Sequence, residues 1–395
     1  MPSDPSAAMT ELQFAALVDA IAADGRRRDE LLDLLREEQA LYRDRSTATI
    51  ARMRGWALLA LERAGVSDRA LPFVLEELDV GTDPYLVAAA ARALRSYPRP
   101  SASLVPFVLG ALANIRYRDE PLSFAAYGAY AVSATGTSAV REILATLAWL
   151  GPHAKDAIPQ LEALLAPGGL PVKLRGDVRR ALLAIRDPGY GADEAGMASC
   201  CGAQAPPPTS RNGDAGIDAV VLEDHAGDRI SFKAFFHGQP SIVAFFYTRC
   251  DNPLKCSLTI AKLARVQQLL EAEHVADRIR TAAITYDPAF DLAPRLRAYG
   301  QDRGVRMDTG HRLFRAVTGN DAVRDLFGLG VNYVGSLVNR HRIELHVLDA
   351  QARIAASFER LRWDEREVVA KAVDALRPKL RRGESARGST PSHSL

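Results

Sequence analysis

Cysteine is scarce in this chain. Four cysteines occur among 395 residues, none of them in the first half: the adjacent pair Cys200-Cys201, and then Cys250 and Cys256. A disulfide-stapled secreted fold needs a much higher density, so that class is excluded. In a reducing compartment, paired cysteines are more often catalytic or metal-binding than structural. The four cysteines are therefore the first candidates for chemistry.

An excess of charge of one sign is also missing. Fifty Lys and Arg residues stand against 48 Asp and Glu residues, which gives a formal net charge of +2. Such a balance predicts no strong attraction to nucleic acid or to an anionic membrane surface. We expect neither kind of partner.

Long apolar runs and a leader are lacking as well. The first residues do not place a basic segment before an apolar one, so no signal peptide is predicted. The longest uncharged stretch, 121–140, contains Ser, Thr, Gly and Tyr throughout and few large aliphatic residues. A membrane span of that length should be predominantly apolar, so we expect a buried helix pair there and no membrane insertion. The expected location is the cytoplasm.

The first half is rich in Ala and Leu at helical spacing, from about residue 10 to 187. Similar segments place Pro72, Pro106 and Pro159 early in predicted helices, where the first-turn N–H groups have no intrahelical partner. Repeated helix pairs of this length predict an α-solenoid. The segment 150–159 resembles the HEAT-repeat pattern, which implies a domain that binds a protein partner or braces a neighbour. An irregular helical bundle is the alternative.

Residues 188–214 are dense in Gly, Ala, Pro and Ser and predict a linker. This linker contains Cys200-Cys201. The pair is either a mobile accessory to the other two cysteines or two inert exposed thiols. A polar tail over 379–395 predicts disorder.

The periodicity changes over 215–378, which predicts an α/β domain of the thioredoxin-like type. A buried strand, a helix and a second strand are followed by a hairpin and a last helix, at 241–247, 257–274, 280–286, 343–348 with 353–358, and 364–376. The fold class is thus multidomain, with an all-α HEAT-like solenoid followed by a thioredoxin-like domain.

Cys250 and Cys256 flank the loop between the first strand and its helix. Cys256 stands where the helix begins, and the free N–H groups there favour a thiolate, so we expect a lowered thiol pKa. Five residues separate the two cysteines. A loop of this length can close a disulfide or let both sulfurs face one metal ion.

Three segments together resemble the Sco (SenC) family of copper proteins. They are the run 245–250 followed by Cys256, the run 285–288 continuing to Leu296, and the run 341–349. The resemblance covers roughly residues 215–376, and the family usually has three residues between its cysteines where this chain has five.

The resemblance implies a metal site of Cys250, Cys256 and His341, with Asp287 as an accessory at its rim. His346 takes a position where the family usually has an aromatic residue. Because it lies five places along from His341, it should point to the opposite face of the strand.

Two thiolates and an imidazole suit Cu(I) and can also hold Cu(II). We therefore expect a copper-binding protein that delivers copper or performs copper-linked redox chemistry, with the helical repeats as a protein-interaction scaffold. One alternative is a thiol–disulfide oxidoreductase or peroxidase with Cys250 and Cys256 as its catalytic residues. Another is a copper-dependent redox enzyme of specialised metabolism, and a last one is a structural adaptor with inert cysteines. Whether the protein is an enzyme stays open; if it is, it is an oxidoreductase.

Overall fold

A computed structural model describes residues 9–128, 136–166, 170–187 and 214–376. Cys200 and Cys201, the linker around them and the tail from 379 lie outside the described residues. The predictions made for them, and the domain boundaries at 10–187 and 215–378, stay predictions.

The N-terminal region is helical, as predicted. Its helices are α1 (Glu11–Ala23), α2 (Arg28–Leu34), α3 (Thr47–Ala64), α4 (Leu71–Val80), α5 (Pro84–Leu94), α6 (Val105–Ile115), α7 (Ala139–Leu150), α8 (Ile158–Leu165) and α9 (Arg175–Arg186). The start of α1 is fixed by a capping box, in which Thr10 accepts from the Gln13 backbone and Gln13 accepts from the Thr10 backbone. Pro72, Pro106 and Pro159 all lie in first turns.

Alternate helices of this region pack against one another. In turn, α1 contacts α3, α3 contacts α5, α5 contacts α7 and α7 contacts α9, while α4 contacts α6. The run Ala88–Ala91 in α5 is fully buried, and small side chains let helix backbones approach closely. Whether the array is of the HEAT type stays a prediction.

The expected helix pair at 121–140 is wrong. Residues 121–122 form strand β1 (Pro121–Leu122), which pairs antiparallel with β2 (Thr137–Ser138), and 123–128 are non-helical. Pro121 disfavours a helical conformation at the residue before it, and Gly128 adopts a positive φ that a regular helix does not contain. Of the residues of this stretch that the structure describes, 121–128 and 136–140, only Ala139 and Val140 belong to a helix, α7.

The C-terminal region is an α/β domain with the thioredoxin-like order of elements. Its elements are α10 (Asp214–Ile217), β3 (Val221–Asp224), β4 (Arg229–Ser231), α11 (Phe232–Phe236), β5 (Ser241–Phe246), α12 (Leu258–Ala272), β6 (Arg280–Thr285), α13 (Ala293–Gln301), β7 (His311–Ala316), α14 (Asn320–Phe327), β8 (Val331–Val334), β9 (Leu337–His341), β10 (Glu344–Leu348), β11 (Ile354–Glu359) and α15 (Glu365–Leu376).

Seven strands form one sheet in the order β11-β10-β5-β6-β7-β3-β4. The central strands β5, β6 and β7 run parallel, and the outer pairings are antiparallel. Every residue of β5 is buried, which agrees with its continuous apolar and aromatic run. The predicted hairpin is confirmed as β10 and β11.

The sequence predicts His341 just before the strand at 343–348, whereas in the structure it belongs to an earlier strand. It ends β9, which pairs with β8 in a separate two-stranded sheet, whereas β10 begins at Glu344. His341 and His346 therefore lie on different strands. The prediction that they point to opposite faces of one strand started from a wrong premise.

A buried set of ion pairs joins the helical region to the α/β domain. Arg360 contacts Glu37 at 2.9 Å and Glu76 at 3.0 Å, and all three side chains are buried. Arg54 joins Glu37 to Glu77, at 3.1 Å from each. Buried charges are tolerated only when paired, so this network fixes how the two regions meet.

No helix in the part of the chain that the structure describes has the length and apolar character needed to cross a membrane. The cytoplasmic location stays a prediction.

Candidate metal site

Cys250 lies just beyond the C-terminal end of β5, in a turn held by the loop that follows the neighbouring strand β6. The Thr248 backbone N–H donates to Asp291 at 3.0 Å, and the Thr248 hydroxyl donates to the same carboxylate. Asp291 is fully buried. A buried carboxylate that accepts these bonds anchors the start of the cysteine loop.

Cys256 lies in a turn of π-helix, Pro253–Ser257, that precedes α12. Asn252 caps this turn, since its side-chain oxygen accepts from the Leu254 backbone at 3.0 Å. Wide helical turns of this kind are frequent at functional sites. The π-turn accommodates part of the five-residue spacing and buries Cys256 to 1% exposure.

His341 is oriented by its own backbone neighbour. Its Nδ1 lies 3.0 Å from the Arg342 carbonyl oxygen, which can only accept a hydrogen bond. Nδ1 therefore carries a proton, and Nε2 is the ring nitrogen that faces the cysteines. This is the arrangement a metal-binding histidine needs.

The three donors converge. His341 Nε2 lies 3.4 Å from Cys250 Sγ and 3.5 Å from Cys256 Sγ, and all three donor atoms lie within 4.8 Å of one another. Three ligands each at about 2.0–2.3 Å from one ion are separated by about 3.5–4 Å, so the spacing fits a shared metal. Both cysteines are free thiols.

The two thiols differ in acidity. A hydrogen bond from the Cys256 thiol is the main factor that lowers the pKa of Cys250 to about 3; burial opposes it and His341 assists it. Burial raises the pKa of Cys256 well above that of an ordinary thiol, and the hydrogen bond to Cys250 adds to the effect. The expectation of a low pKa at the helix start is wrong for Cys256, because desolvation outweighs the helix terminus. The thiolate sits on Cys250.

A family model described as SCO1/SenC matches residues 211–376. These residues form a SCO1/SenC domain. The helical region before them lies outside the match, and no curated protein matches the chain.

Solved structures similar to this chain include the following three. ScoI of Bradyrhizobium japonicum with copper bound is 17% identical, covering 40% of this chain and 96% of that one, with a TM-score of 0.33. Yeast Sco1 with copper bound is 20% identical over 43% and 93%, with a TM-score of 0.34. A SCO1/SenC family lipoprotein from Bacillus anthracis is 16% identical over 42% and 99%, with a TM-score of 0.35.

The other residues predicted for the SCO1/SenC domain fall outside the donor cluster. Asp287 is buried and pairs with Arg249, the residue before Cys250, so it holds the loop and lies outside the cluster of donor atoms. His346 is buried away from the cluster, where Nδ1 lies 2.9 Å from the Ser357 hydroxyl and the ring contacts Phe245 and Phe327. The prediction that His346 does not share the site of His341 is confirmed.

Two aromatic rings hold His341 within the SCO1/SenC domain. Tyr247 meets it edge-on, with ring centroids 5.3 Å apart, and the Tyr286 ring lies 5.4 Å away. The Tyr286 hydroxyl donates to Glu344 at 2.5 Å. Burial raises the pKa of Tyr247, and the neighbouring Cys250 adds to this. Tyr247 therefore stays a neutral phenol beside the donors.

Sequence reasoning missed the polar residues that brace the cysteine loop. The Lys255 ammonium donates to the His341 carbonyl at 2.9 Å and pairs with Glu76 at 3.2 Å. The Asn252 amide donates to the Val80 carbonyl at 2.7 Å. The Asn252-Pro253 dipeptide is a recognisable start of a helical turn, whereas nothing in the sequence pairs Lys255 with a residue of the helical region.

Proposed function

We propose that the protein binds one copper ion through Cys250, Cys256 and His341. The observation that carries this proposal is the convergence of two sulfurs and one imidazole nitrogen within 4.8 Å. Soft thiolates select Cu(I), and imidazole suits both copper oxidation states. Related proteins with copper bound add support.

The three donors differ in whether they must lose a proton before they bind a metal ion. Cys250 is already a thiolate at neutral pH, and His341 already presents Nε2. Cys256 has to lose a proton when a metal binds, so binding releases a proton and tightens as pH rises. Bound copper supplies one-electron exchange between Cu(I) and Cu(II). Either delivery of the ion or redox chemistry at it is compatible with this donor set.

The proposal is tested by anaerobic titration of the reduced full chain with Cu(I) against a competing chelator. Cys200→Ser and Cys201→Ser form the background, so that those thiols do not bind the ion. Cys250→Ala, Cys256→Ala and His341→Ala should each weaken binding, while His153→Ala, at an exposed histidine, should not. Unchanged stoichiometry and affinity after any two of the three site changes overturn the proposal.

We propose the helical array as a HEAT-type brace and protein-interaction scaffold. Its support is the packing of alternate helices and the buried ion pairs of Glu37 and Glu76 with Arg360. If the helical array braces the site, disrupting these ion pairs should change the affinity of the site for copper.

A second candidate is thiol–disulfide exchange. It is favoured by the low pKa of Cys250, which makes a nucleophile beside a second thiol. Cys250 would attack a disulfide, and Cys256 would then displace the substrate thiolate and form the intramolecular disulfide. A reduction potential in the range of exchange enzymes, with turnover on a disulfide, supports this candidate. A protein whose thiols only bind copper is expected to show neither such a reduction potential nor turnover on a disulfide.

A further inference from the structure

An arginine and a glutamate are buried within three residues of the metal ligand His341. Arg342 lies between β9 and β10, and Glu344 begins β10. Both side chains are buried, and the Arg342 guanidinium pairs with the Glu344 carboxylate at 2.6 Å. A buried ion pair contributes little to stability over apolar residues of similar volume. The pair therefore points to a role in fixing the local geometry.

The Glu344 carboxylate accepts hydrogen bonds from three segments of the domain. Its Oε1 accepts from the Gly330 backbone N–H at 2.7 Å and from Arg342 Nε at 2.6 Å. Its Oε2 accepts from the Tyr286 hydroxyl at 2.5 Å. Gly330 lies just before β8, and Tyr286 follows the end of β6. One carboxylate thus ties the end of β6, the start of β8 and the β9–β10 connection together.

Two of the residues that bind this carboxylate also contact His341. The Arg342 carbonyl lies 3.0 Å from Nδ1 of the imidazole and accepts its proton. The Tyr286 ring lies against the imidazole, with centroids 5.4 Å apart, and its hydroxyl is also 3.5 Å from the Arg342 carbonyl. Glu344 therefore acts on the ligand through these two residues, one at the ring nitrogen and one at the ring itself.

The space around Arg342 leaves it little freedom to move. A Cβ at Gly330 would lie 2.7 Å from the Arg342 side chain, so only glycine fits at that position. The Arg342 backbone N–H donates to the Gly330 carbonyl at 2.9 Å, and the guanidinium donates to the Gly328 carbonyl at 2.5 Å. The carbonyl that holds the ligand is thus fixed from the same side chain that the carboxylate binds.

We propose that Glu344 is a positioning residue for the metal ligand His341. Through Arg342 and Tyr286 it keeps Nε2 directed at the two sulfurs. Thiolates select Cu(I), whereas nitrogen ligands are typical of Cu(II), so this hold on the imidazole matters more for Cu(II). That consequence rests on the proposed copper binding, while the hold on His341 does not.

Two substitutions separate this role from a contribution to stability alone. Glu344→Gln keeps the shape of the side chain and removes its charge, and Arg342 then retains Glu359, whose carboxylate lies 3.5 Å from the guanidinium. Tyr286→Phe keeps every charge and the ring beside the imidazole and removes only the hydroxyl. Glu271→Gln, at an exposed glutamate near the end of α12, is the matched control.

The first measurement needs no metal. The reduced full chain carries Cys200→Ser, Cys201→Ser and isotope-labelled histidine, and NMR follows the exchange of the His341 Nδ1 proton with water. The signal is assigned by its absence in His341→Ala. Glu344→Gln should speed this exchange by at least about tenfold, because a hydrogen bond that opens more often protects its proton less. The Glu271→Gln control should leave it unchanged, and Tyr286→Phe should speed it to a smaller extent.

The second measurement compares the affinities of the same variants for Cu(I) and for Cu(II) in competition titrations. We expect Glu344→Gln to weaken Cu(II) binding about tenfold more than Cu(I) binding, which raises the potential of the bound ion by about 59 mV. The EPR spectrum of the Cu(II) form should change with it, because the imidazole is held differently. A loss of negative charge alone would also raise the potential, but it would leave Nδ1 exchange as it was.

Unchanged Nδ1 exchange in Glu344→Gln overturns the assignment, whatever the potential. Faster exchange with an unchanged ratio of the two copper affinities overturns the role in the metal site. If Glu344→Gln does not fold, Tyr286→Phe decides by the same two criteria. Failure of the unaltered protein to bind copper, with slow exchange that depends on Glu344, removes the proposed function alone. Fast exchange in an unaltered protein that binds copper tightly removes only the positioning role.

Discussion

The two regions of the molecule divide their roles at the interface. The SCO1/SenC domain supplies all three donors of the cluster, together with the basic residues Lys255, Arg340 and Arg360 around it. The helical region supplies the acidic partners of these bases. Chemistry therefore resides in one region, while the position of the loop depends on the other.

The largest expected effect, on the free energy of unfolding, comes from breaking the buried ion pairs that join the two regions. Arg360→Ala leaves Glu37 and Glu76 buried without one of their partners, and losing one member of a buried pair costs about 3–5 kcal/mol. Denaturant unfolding of the full chain measures the change. A loss below about 1 kcal/mol would show that the pairs behave like exposed ones and that the regions are not rigidly joined.

The next effect sharpens the contrast between the two thiols. With a pKa near 3, Cys250 is a thiolate throughout the range from about pH 5 to pH 8, so its alkylation rate should be nearly flat there. An ordinary thiol gains several hundredfold in thiolate over the same range. Cys256→Ser weakens the hydrogen bond that lowers the pKa of Cys250, so the decline at low pH should begin at a higher pH. A rate for unaltered Cys250 that rises as for glutathione contradicts the assignment.

A smaller effect tests whether the helical region supports the metal site. Lys255→Met removes the ammonium that links Glu76 to the His341 carbonyl, and residues that orient ligands typically change metal affinity by about 10–100-fold. We expect Cu(I) affinity to fall about tenfold with the stoichiometry unchanged. Lys173→Met, at an exposed lysine, is the matched control. Equal affinities in the two variants would confine support of the site to the SCO1/SenC domain.

The smallest effect is expected at an exposed pair. Arg69 and Asp29 lie 2.8 Å apart, with about 60% of each side chain exposed. Arg69→Ala should change the free energy of unfolding by no more than about 0.5 kcal/mol, because water screens such pairs. Calorimetric unfolding in parallel with Arg360→Ala gives the comparison. If Arg69→Ala lowered the free energy of unfolding as much as Arg360→Ala, the buried interface pairs and the exposed pair would not differ in their contribution to stability.

Much of the domain that holds the site was predictable because its patterns are local. The all-buried strand β5, the amphipathic helix α12 and the hairpin of β10 and β11 are each encoded by a short periodic run. The donor set followed from the resemblance of three such segments. Strand β9, which carries His341, was not predicted, because only two residues separate its end from the start of β10.

What could not be predicted depends on distant contacts. Lys255 and Glu76 are 179 residues apart in the chain, and no periodicity links them. The high pKa of Cys256 arises from burial that only the assembled fold creates. The short ladder of Pro121 with Ser138 shows the same limit on a smaller scale.

The division of acids and bases between the regions has a consequence for any dissection of the protein. Cutting the chain between the two regions leaves four basic residues without their carboxylate partners: Lys255, Arg340, Arg360 and Arg362. The severed SCO1/SenC piece then carries a basic surface beside its sulfurs, which repels a cuprous ion and attracts polyanions. Affinities and ligands found for that piece describe an artefact of the cut.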